Sequence, residues 1–462
     1  MKSEVTVESL ALYINRGITP KYTEVIDDSV IVLNQKCIRD FKVSLEPSRR
    51  NDLSKRKITE GKMLKKHDVL INSTGVGTLG RVAQYFGADD DATVDSHVTI
   101  VRPNPELVDP IYFGYLMKSK QSLIESFAEG TTGQTELNRN SVKELLLEIV
   151  NDIPTQKIIG GILLEIDQKL ELNTQTNQTL EQIAQAIFKS WFVDFDPVKA
   201  KIETLAAGGN ADDAELAAMG VISAKTLDEL NSLKASNPEQ FNKLAQTATL
   251  FPEKLVESEL GLIPESWGAK PLGDYLTIKR GGSPRPIKDF IVPEGYPWTK
   301  IADATANDNP YIFNTKEFIK EEGLKKTVYL EKGTLILSNS ATPGLPRFLE
   351  LDACIHDGWL HFPEKTHFTD SYLYQLFLHI RNHLVAQGNG SVFTNLKTDI
   401  LRNQVVLVPP KELVDVYDKH AAKLLETVKA KSIENNQLAQ LRDTLLPKLL
   451  SGEIDLTSEV VA

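Results

Sequence analysis

Several groups of residues have types and spacings that could carry chemistry. The loop Gly75-Val76-Gly77-Thr78-Leu79-Gly80 follows an apolar run and spells GxGxxG, a dinucleotide-binding pattern. That chemistry needs a helix opening at the third glycine, so that its first amides face a pyrophosphate. Arg81 to Phe86 leaves too little room for one, because Gly87 and the run Asp89-Asp90-Asp91 cut it short. A P-loop fails at Arg81-Val82, where Lys and Ser/Thr are required. The loop is instead expected to expose backbone to a ligand or to DNA. His97, His356-Asp357 and His361 lie in or beside strand-like runs, but no HExxH or Cys/His set accompanies them, and they read as structural. No GxSxG elbow supports a hydrolase triad. An adenine methyltransferase would place an Asn or Asp before Pro-Pro and an aromatic after it, whereas Pro409-Pro410 stands between Val408 and Lys411. With only Cys37 and Cys354, thiolate zinc sites and disulfide frameworks are set aside. The chain is expected to lack a catalytic centre, which directs attention to binding.

Charge distribution refines that expectation. The chain of 462 residues is 41% hydrophobic and 25% charged, values of ordinary globular protein, and its net charge of −11 argues at first against a nucleic-acid partner. Residues 1–153 carry 20 basic and 22 acidic groups, 154–262 carry 9 and 16, and 263–462 carry 23 and 25, so most of the excess sits in the middle. Around it are locally basic stretches. Arg49, Arg50, Lys55, Arg56, Lys57, Lys62, Lys65 and Lys66 fall within eighteen residues against Asp52 and Glu60. The polar start MKSEVTVESL and the lack of any run of about 18 apolar residues predict a soluble, cytoplasmic protein.

The elements that must position these residues occur twice. Arg16-Gly17-Ile18-Thr19-Pro20-Lys21 matches Arg280-Gly281-Gly282-Ser283-Pro284-Arg285. Asp68 to Ser73 matches Thr334 to Asn339, each leading into a small polar loop, and the second such loop, Ser340 to Arg347, has one glycine and two prolines. Val142, Leu147 and Ile149 match Ile400, Val405 and Leu407, and both sets lead into a long helical pattern. One stripe of the first pattern holds Ile159, Ile166, Asn173, Leu180 and Ile187, with Leu163, Leu170, Asn177, Ala184 and Trp191 beside it. The second shares the seven-residue spacing and phase in Tyr417, Leu424, Lys431, Leu438 and Leu445, beside Ala421, Val428, Asn435, Arg442 and Leu449. A polar interruption at the same heptad in both predicts a register-setting pair of helices, each roughly 50 to 60 Å long. Pro197 is expected to end the first; Pro447 should kink or fray the second before Gly452 stops it. Short β-type runs mixed with helices predict an α+β fold in each repeat. The boundaries read as 1–153, a long helix over 154–197, a connector of short helices and loops over 198–262, a second unit over 263–410, a helix over 411–452 and a tail over 453–462.

Three blocks then carry a resemblance: Leu180 to Phe192 (LEQIAQAIFKSWF) continuing to Pro197, Phe251 to Trp267 (FPEKLVESELGLIPESW) and Leu441 to Ile454 (LRDTLLPKLLSGEI). No general physical rule demands them. With the two-fold repeat, the chain resembles the specificity subunits of type I restriction-modification enzymes over nearly its whole length. The Ala-rich stretch at 200–250 departs from the blocks around it. The resemblance implies two α+β target-recognition domains in tandem, separated by two long antiparallel coiled-coil-like helices, each domain reading half of a split, asymmetric DNA target. It also implies two methylation subunits that carry S-adenosylmethionine, and motor and nuclease restriction subunits that use ATP and magnesium, with no cofactor or metal in this chain and methylation falling on adenine. A helical spacer of that length, beside DNA at about 34 to 36 Å per turn, would suit readers one turn apart.

Candidate DNA contacts are the repeat-matched loops with donors: Arg16, Thr19 and Lys21 with Arg280, Ser283 and Arg285; Thr74 and Gly75 with Asn339, Ser340 and Arg347; Thr132 and Gln134 with Asn389, Ser391 and Thr394. Arg49, Arg50 and Arg56 suit phosphates. Trp191, Phe192, Leu449 and Leu450 are candidate partner-docking residues, with ordinary core packing as the other reading. Two rivals stay open: a structural coiled-coil scaffold, which predicts no salt-dependent DNA binding, and a nucleotide enzyme using the glycine loop, which predicts binding lost in Gly77→Ala.

Overall fold

A computed structural model describes residues 2–129, 136–387 and 395–454. The chain divides into two units, Met1–Leu172 with Glu434–Ala462 and Asn173–Ile433, so each long helix lends half of itself to each unit.

In the first unit, alternation of Val, Ile and Leu builds two four-stranded sheets. One runs in the order Ala92–Val94, Ser29–Leu33, Arg49–Asp52, Tyr22–Thr23, and the other Ala11–Arg16, Val98–Pro103, Val69–Asn72, Val82–Gln84. Both faces of Val69–Asn72 are covered, which accounts for its continuous apolar reading. The helix Pro110–Ser119 starts where the Asp109 carboxylate accepts from the amides of Ile111 and Tyr112, with Pro110 at its first position. Lys2–Thr6 pairs antiparallel with Leu146–Val150, and the latter strand delivers the chain to the long helix Ile153–Phe192. The core gathers Val69, Ile71, Tyr112, Phe113, Leu147 and Leu163, closed by Leu449 and Leu450 from the second long helix.

The second unit repeats the plan with five strands in each sheet. Leu276–Arg280, Trp359–Lys365, Leu335–Ser338, Pro346–Leu349 and Tyr311–Ile312 form one, and Ile291–Val292, Glu317–Ile319, Tyr296–Thr299, Ala353–Ile355 and Val328–Leu330 the other. Gly268–Pro271 pairs with Val405–Val408 as Lys2–Thr6 does with Leu146–Val150. Hydrogen bonds register the repeat residue by residue. Gly17 N–H donates to Val98 O and Gly281 N–H to Trp359 O, at 3.1 and 2.9 Å. Ile18 donates to Val94 O and Gly282 to Ile355 O, at 3.0 and 3.2 Å. Ser73 donates to His97 O and Asn339 to Gly358 O, both at 2.8 Å. Leu137 donates to Ser73 O and Leu396 to Asn339 O, at 2.8 and 2.7 Å.

The helices Ile153–Phe192 and Lys411–Leu450 have 40 residues each, about 60 Å of rise. Within each unit their halves pack antiparallel. In the first, Asn435 Nδ2 donates to Leu170 O at 3.3 Å and Arg442 Nη1 to Asp167 at 2.8 Å. In the second, Lys431 Nζ donates to Asn173 Oδ1 at 3.3 Å, Asn177 Nδ2 to Ser432 Oγ at 3.1 Å, and Tyr417 hydroxyl to Ala184 O at 3.3 Å. The polar heptad is therefore cross-bonded between the helices, and Asn173 is wholly buried. A one-turn slip would leave these groups unpaired in the interior.

One boundary differs from expectation. The first long helix ends at Phe192, and Pro197 stands in the first turn of the next helix, Asp196–Ala206, where its missing N–H costs nothing. Phe195, in the left-handed conformation, makes the turn between them. Pro447 lies within the second helix, which continues to Leu450 before Gly452 (φ +64°) ends it. In the connector, Asp196–Ala206, Ala211–Ser223, Leu227–Ser236 and Pro238–Ala248 are short helices, the last three around a small core of Met219, Leu230 and Phe241.

Candidate nucleic-acid interface

Each repeat brings the same three segments together: the loop after the strand that carries Arg16 or Arg280, the end of the central strand at Asn72–Thr74 or Ser338–Ser340, and the three-residue turn Asp95–His97 or His356–Gly358. Gly17 and Gly281 make the approach possible, since a Cβ on either would lie 1.9 Å from Val94 O or 2.2 Å from His356 O.

In the first unit the Gln35 amide donates to Thr74 Oγ1 at 2.5 Å, and Thr74 Oγ1 meets His97 Nδ1 at 2.8 Å. Lys62 Nζ caps Gly17 O at 2.6 Å, and burial pulls its ammonium below the usual lysine range. Burial likewise raises the Asp95 carboxyl, although the His97 amide donates to it at 2.9 Å. Thr19 and Lys21 are exposed on the loop. The wholly buried Asn51 ties that loop to the basic stretch: its Oδ1 accepts from Lys21 N–H at 2.8 Å and its Nδ2 donates to Arg56 O at 2.9 Å. Arg49, exposed, lays its guanidinium 3.6 Å from the centre of the Tyr22 ring, and the Arg56 side chain is also exposed. The fold thus joins Lys21, Arg49 and Arg56, some thirty residues apart in the chain.

In the second unit Asp357 is the hub. Its backbone oxygen accepts from Arg280 Nε and, at 3.3 Å, from Asn339 Nδ2. Its carboxylate accepts from Ser283 Oγ at 2.6 Å and Arg285 Nη2 at 3.4 Å. The Arg280 and Arg285 side chains are exposed, and Ser283, Arg285 and Ser340 line one cleft with Trp298 and His356. Burial lowers the His356 imidazole, whose Nε2 accepts from Ile301 N–H at 3.3 Å.

The GxGxxG loop is a backbone turn. Gly75, Gly77 and Gly80 have φ of +107°, +73° and +81°, and the strand Val82–Gln84 follows, so no helix N-terminus faces a phosphate there. Among the described residues no group of His, Cys, Asp or Glu could hold a metal ion, and no helix is long and apolar enough to cross a membrane.

A family model described as the type I restriction modification DNA specificity domain matches residues 47–182 and 264–443. The HindI specificity subunit of Haemophilus influenzae is 33% identical over 416 residues, 85% of this chain and 88% of that protein. The chain belongs to the family of type I restriction-modification specificity subunits. The MjaIX specificity subunit of Methanocaldococcus jannaschii is 23% identical over 74% of this chain and 68% of its own length. In fold, the S subunit of a type I system from M. genitalium aligns over 97% of this chain and 96% of its own, with a TM-score of 0.55 at 17% identity.

For a specificity subunit, several expected contacts need reassignment. Arg347 is 5% exposed; its Nε donates to Ala304 O at 3.2 Å and its Nη1 to Pro346 O at 3.1 Å, so it braces the interior. Arg50 is committed to Ser29 Oγ at 2.7 Å and Asp90 at 2.9 Å. Arg16 pairs with Glu136 and donates to Leu137 O at 2.9 Å, which makes it a strut for the short strand Glu136–Leu137. Asn339 is 3% exposed. Trp191, Phe192, Leu449 and Leu450 are no docking surface, being 3%, 4%, 2% and 7% exposed. Trp191 meets Phe251 edge-on at 5.5 Å and Phe192 meets Tyr372 at 5.0 Å, which explains the AIFKSWF block as core packing. Thr132, Gln134, Asn389, Ser391 and Thr394 lie outside the described residues. Sequence reasoning passed over Gln35 and Asn51, counted Lys62 only as one charge of a basic stretch although its role arises from a long-range contact, and set aside His97 and His356-Asp357, which lie at the centre of the two sites. The matched spacing of Asp95-Ser96-His97 and His356-Asp357-Gly358 before an apolar strand was the signal available for them.

Proposed function

We propose that this chain is the DNA-targeting subunit of a type I restriction-modification complex, recognising a bipartite, asymmetric target through its two repeats. The observation that carries this reading is the pairing of identical backbone frames with unlike side chains. The frame around Gly17 presents Thr19, Lys21, Thr74 and His97, while the frame around Gly281 presents Arg285, Ser283, Ser340 and Asp357. Two readers of common descent with different donor and acceptor sets suit a target of two unrelated words. Exposed Arg49, Arg56 and Arg280 supply phosphate contacts, which position the chain without selecting sequence. The chain itself carries no catalysis in this reading. It recruits two methylation subunits, where S-adenosylmethionine is bound, and restriction subunits using ATP and magnesium, all in the cytoplasm.

Comparison of genome-wide adenine methylation in the host with and without the gene tests this. Loss of one split motif, two short words around a fixed gap, is the expected result. An unchanged methylome with the partner subunits expressed returns priority to a scaffold role, and replacement of the whole first unit, residues 1–172 with 434–462, by another specificity subunit's should change one word only.

A further inference from the structure

The cleft of the second unit, about 390 Å³, is lined by Ser283, Arg285, Trp298, Lys300, His356 and Asp357 among others. Arg285 suits an anionic ligand, whereas the Lys300 ammonium is paired with Glu317. Asp357 does not suit one: its carboxylate is 42% exposed in a surface that must approach phosphates. Bracing explains only part of it. Ser283 Oγ and Arg285 Nη2 occupy one direction on each oxygen, at 2.6 and 3.4 Å, and a carboxylate offers about four, so about two remain. Partial burial alone would raise this carboxyl, but the Ser283 bond and the guanidinium groups of Arg280 and Arg285 outweigh it and hold it below the ordinary range. At neutral pH the group is therefore ionised and accepts only.

We propose that Asp357 is a specificity-determining residue, accepting a hydrogen bond from the exocyclic amino group of a cytosine or an adenine in the major groove. In that groove cytosine N4 and adenine N6 donate, whereas guanine O6 and N7 and thymine O4 accept and would face the carboxylate with like partial charge. The first repeat supplies an internal comparison. The bonds from Gly17 to Val98, Ile18 to Val94 and Ser73 to His97, equivalent to those from Gly281, Gly282 and Asn339, place Ser96 where the second repeat has Asp357. A hydroxyl donates as well as accepts and makes no such distinction. The two frames thus differ, at one matched position, in the class of base edge they admit. This inference rests on the DNA-targeting function proposed above.

The test is the methylome of cells expressing the complete methyltransferase with wild-type chain, Asp357→Asn, Asp357→Ala or Asp357→Glu. A side-chain amide can donate, so Asp357→Asn should admit thymine in place of cytosine, or guanine in place of adenine, at one position of one word. The wild-type preference there, roughly ten- to hundredfold for a single base pair, should shrink to within a few-fold. Asp357→Ala should relax the same position, and the other word should not change. Ser283→Ala, which loosens the brace but keeps the acceptor, should lower occupancy without altering the word. An unaltered word in both the Asn and Ala variants would show that Asp357 only positions Arg285, and loss of all modification in both the Asn and Glu variants would likewise overturn the inference. Absence of any split motif with the wild-type chain would instead strike the underlying DNA-targeting reading.

Discussion

Gly281→Ala isolates one recognition frame without touching a proposed contact. A Cβ there would lie 2.2 Å from His356 O and 2.8 Å from Ile355 O, against a practical floor of 3.0 Å, so the nearer pair must separate by about 0.8 Å. Both obstacles are backbone within the frame, and neither can rotate away as a side chain could. The loop must move, carrying Ser283 and Arg285 away from Asp357, to which Arg285 is already joined at only 3.4 Å. Overpacking of this size costs roughly 1–3 kcal/mol, or about tenfold to a hundredfold in affinity where relief comes through the binding loop. The assay is fluorescence anisotropy of the assembled methyltransferase on duplexes carrying the full target, or the target with either word scrambled. Wild type should lose affinity when either word is scrambled. Gly281→Ala should bind the full target about ten- to a hundredfold more weakly and become indifferent to scrambling one word, while still requiring the other. Gly17→Ala, with 1.9 Å to Val94 O, should show the reciprocal pattern. If Gly281→Ala blunted the response to both words, or to neither, the assignment of one frame to one word would be wrong.

Arg49→Gln should weaken binding about equally on all sequences and reduce the slope of log affinity against log salt by about one, while the buried Arg347→Gln should lower thermal stability. Arg102 grips Asp68 with two bonds, 2.8 and 2.7 Å long, and Asp68 has no exposed surface; Arg102→Ala should cost about 3–5 kcal/mol in denaturant unfolding of the first unit, and a loss under 1 kcal/mol would refute the view of the pair as buried. Burial pushes the Glu181 carboxyl up to about 7 from 4.5, against the Tyr374 hydroxyl and the charge of Arg347. The folded state then holds a proton that the unfolded chain releases, so stability should fall as pH rises from 4.5 through 7. Glu181→Gln should consequently raise the melting temperature more at pH 8 than at pH 5, and an equal rise at both would count against this.

The repeat and the long helices were legible because each is written in periodic or near-identical residues. Asn173, Asn177 and Asn435 even revealed the polar layer, since an Asn inside an apolar heptad has few other uses. Site details were less legible where a residue's fate depends on strands distant in sequence. Arg347 looks like any loop arginine until Pro346–Leu349 is seen to be covered on both sides. Asn51 reads as one more polar residue in a basic run, yet its pairing with both Lys21 and Arg56 shapes the first frame. Pro197 was misplaced because a proline that stops one helix and a proline that starts another are the same residue; the left-handed Phe195 decides between them. Trp191 and Phe192 show the converse, in that a distinctive block can owe its composition to an aromatic core.

The division of the chain sets an order of assembly. The second unit is one uninterrupted stretch, Asn173–Ile433, and has all its parts as soon as residue 433 has been synthesised. The first unit, although it begins the chain, stays open until Leu449 and Leu450 arrive from the second long helix to complete the core that holds Leu147 and Leu163. A chain still on the ribosome therefore carries an unfinished first unit through almost the whole of translation, with apolar surface awaiting its last helix. For the same reason a graft of the first unit between relatives must transfer the region after residue 433 together with the first 172 residues, or that core will be closed by a lid shaped for another protein.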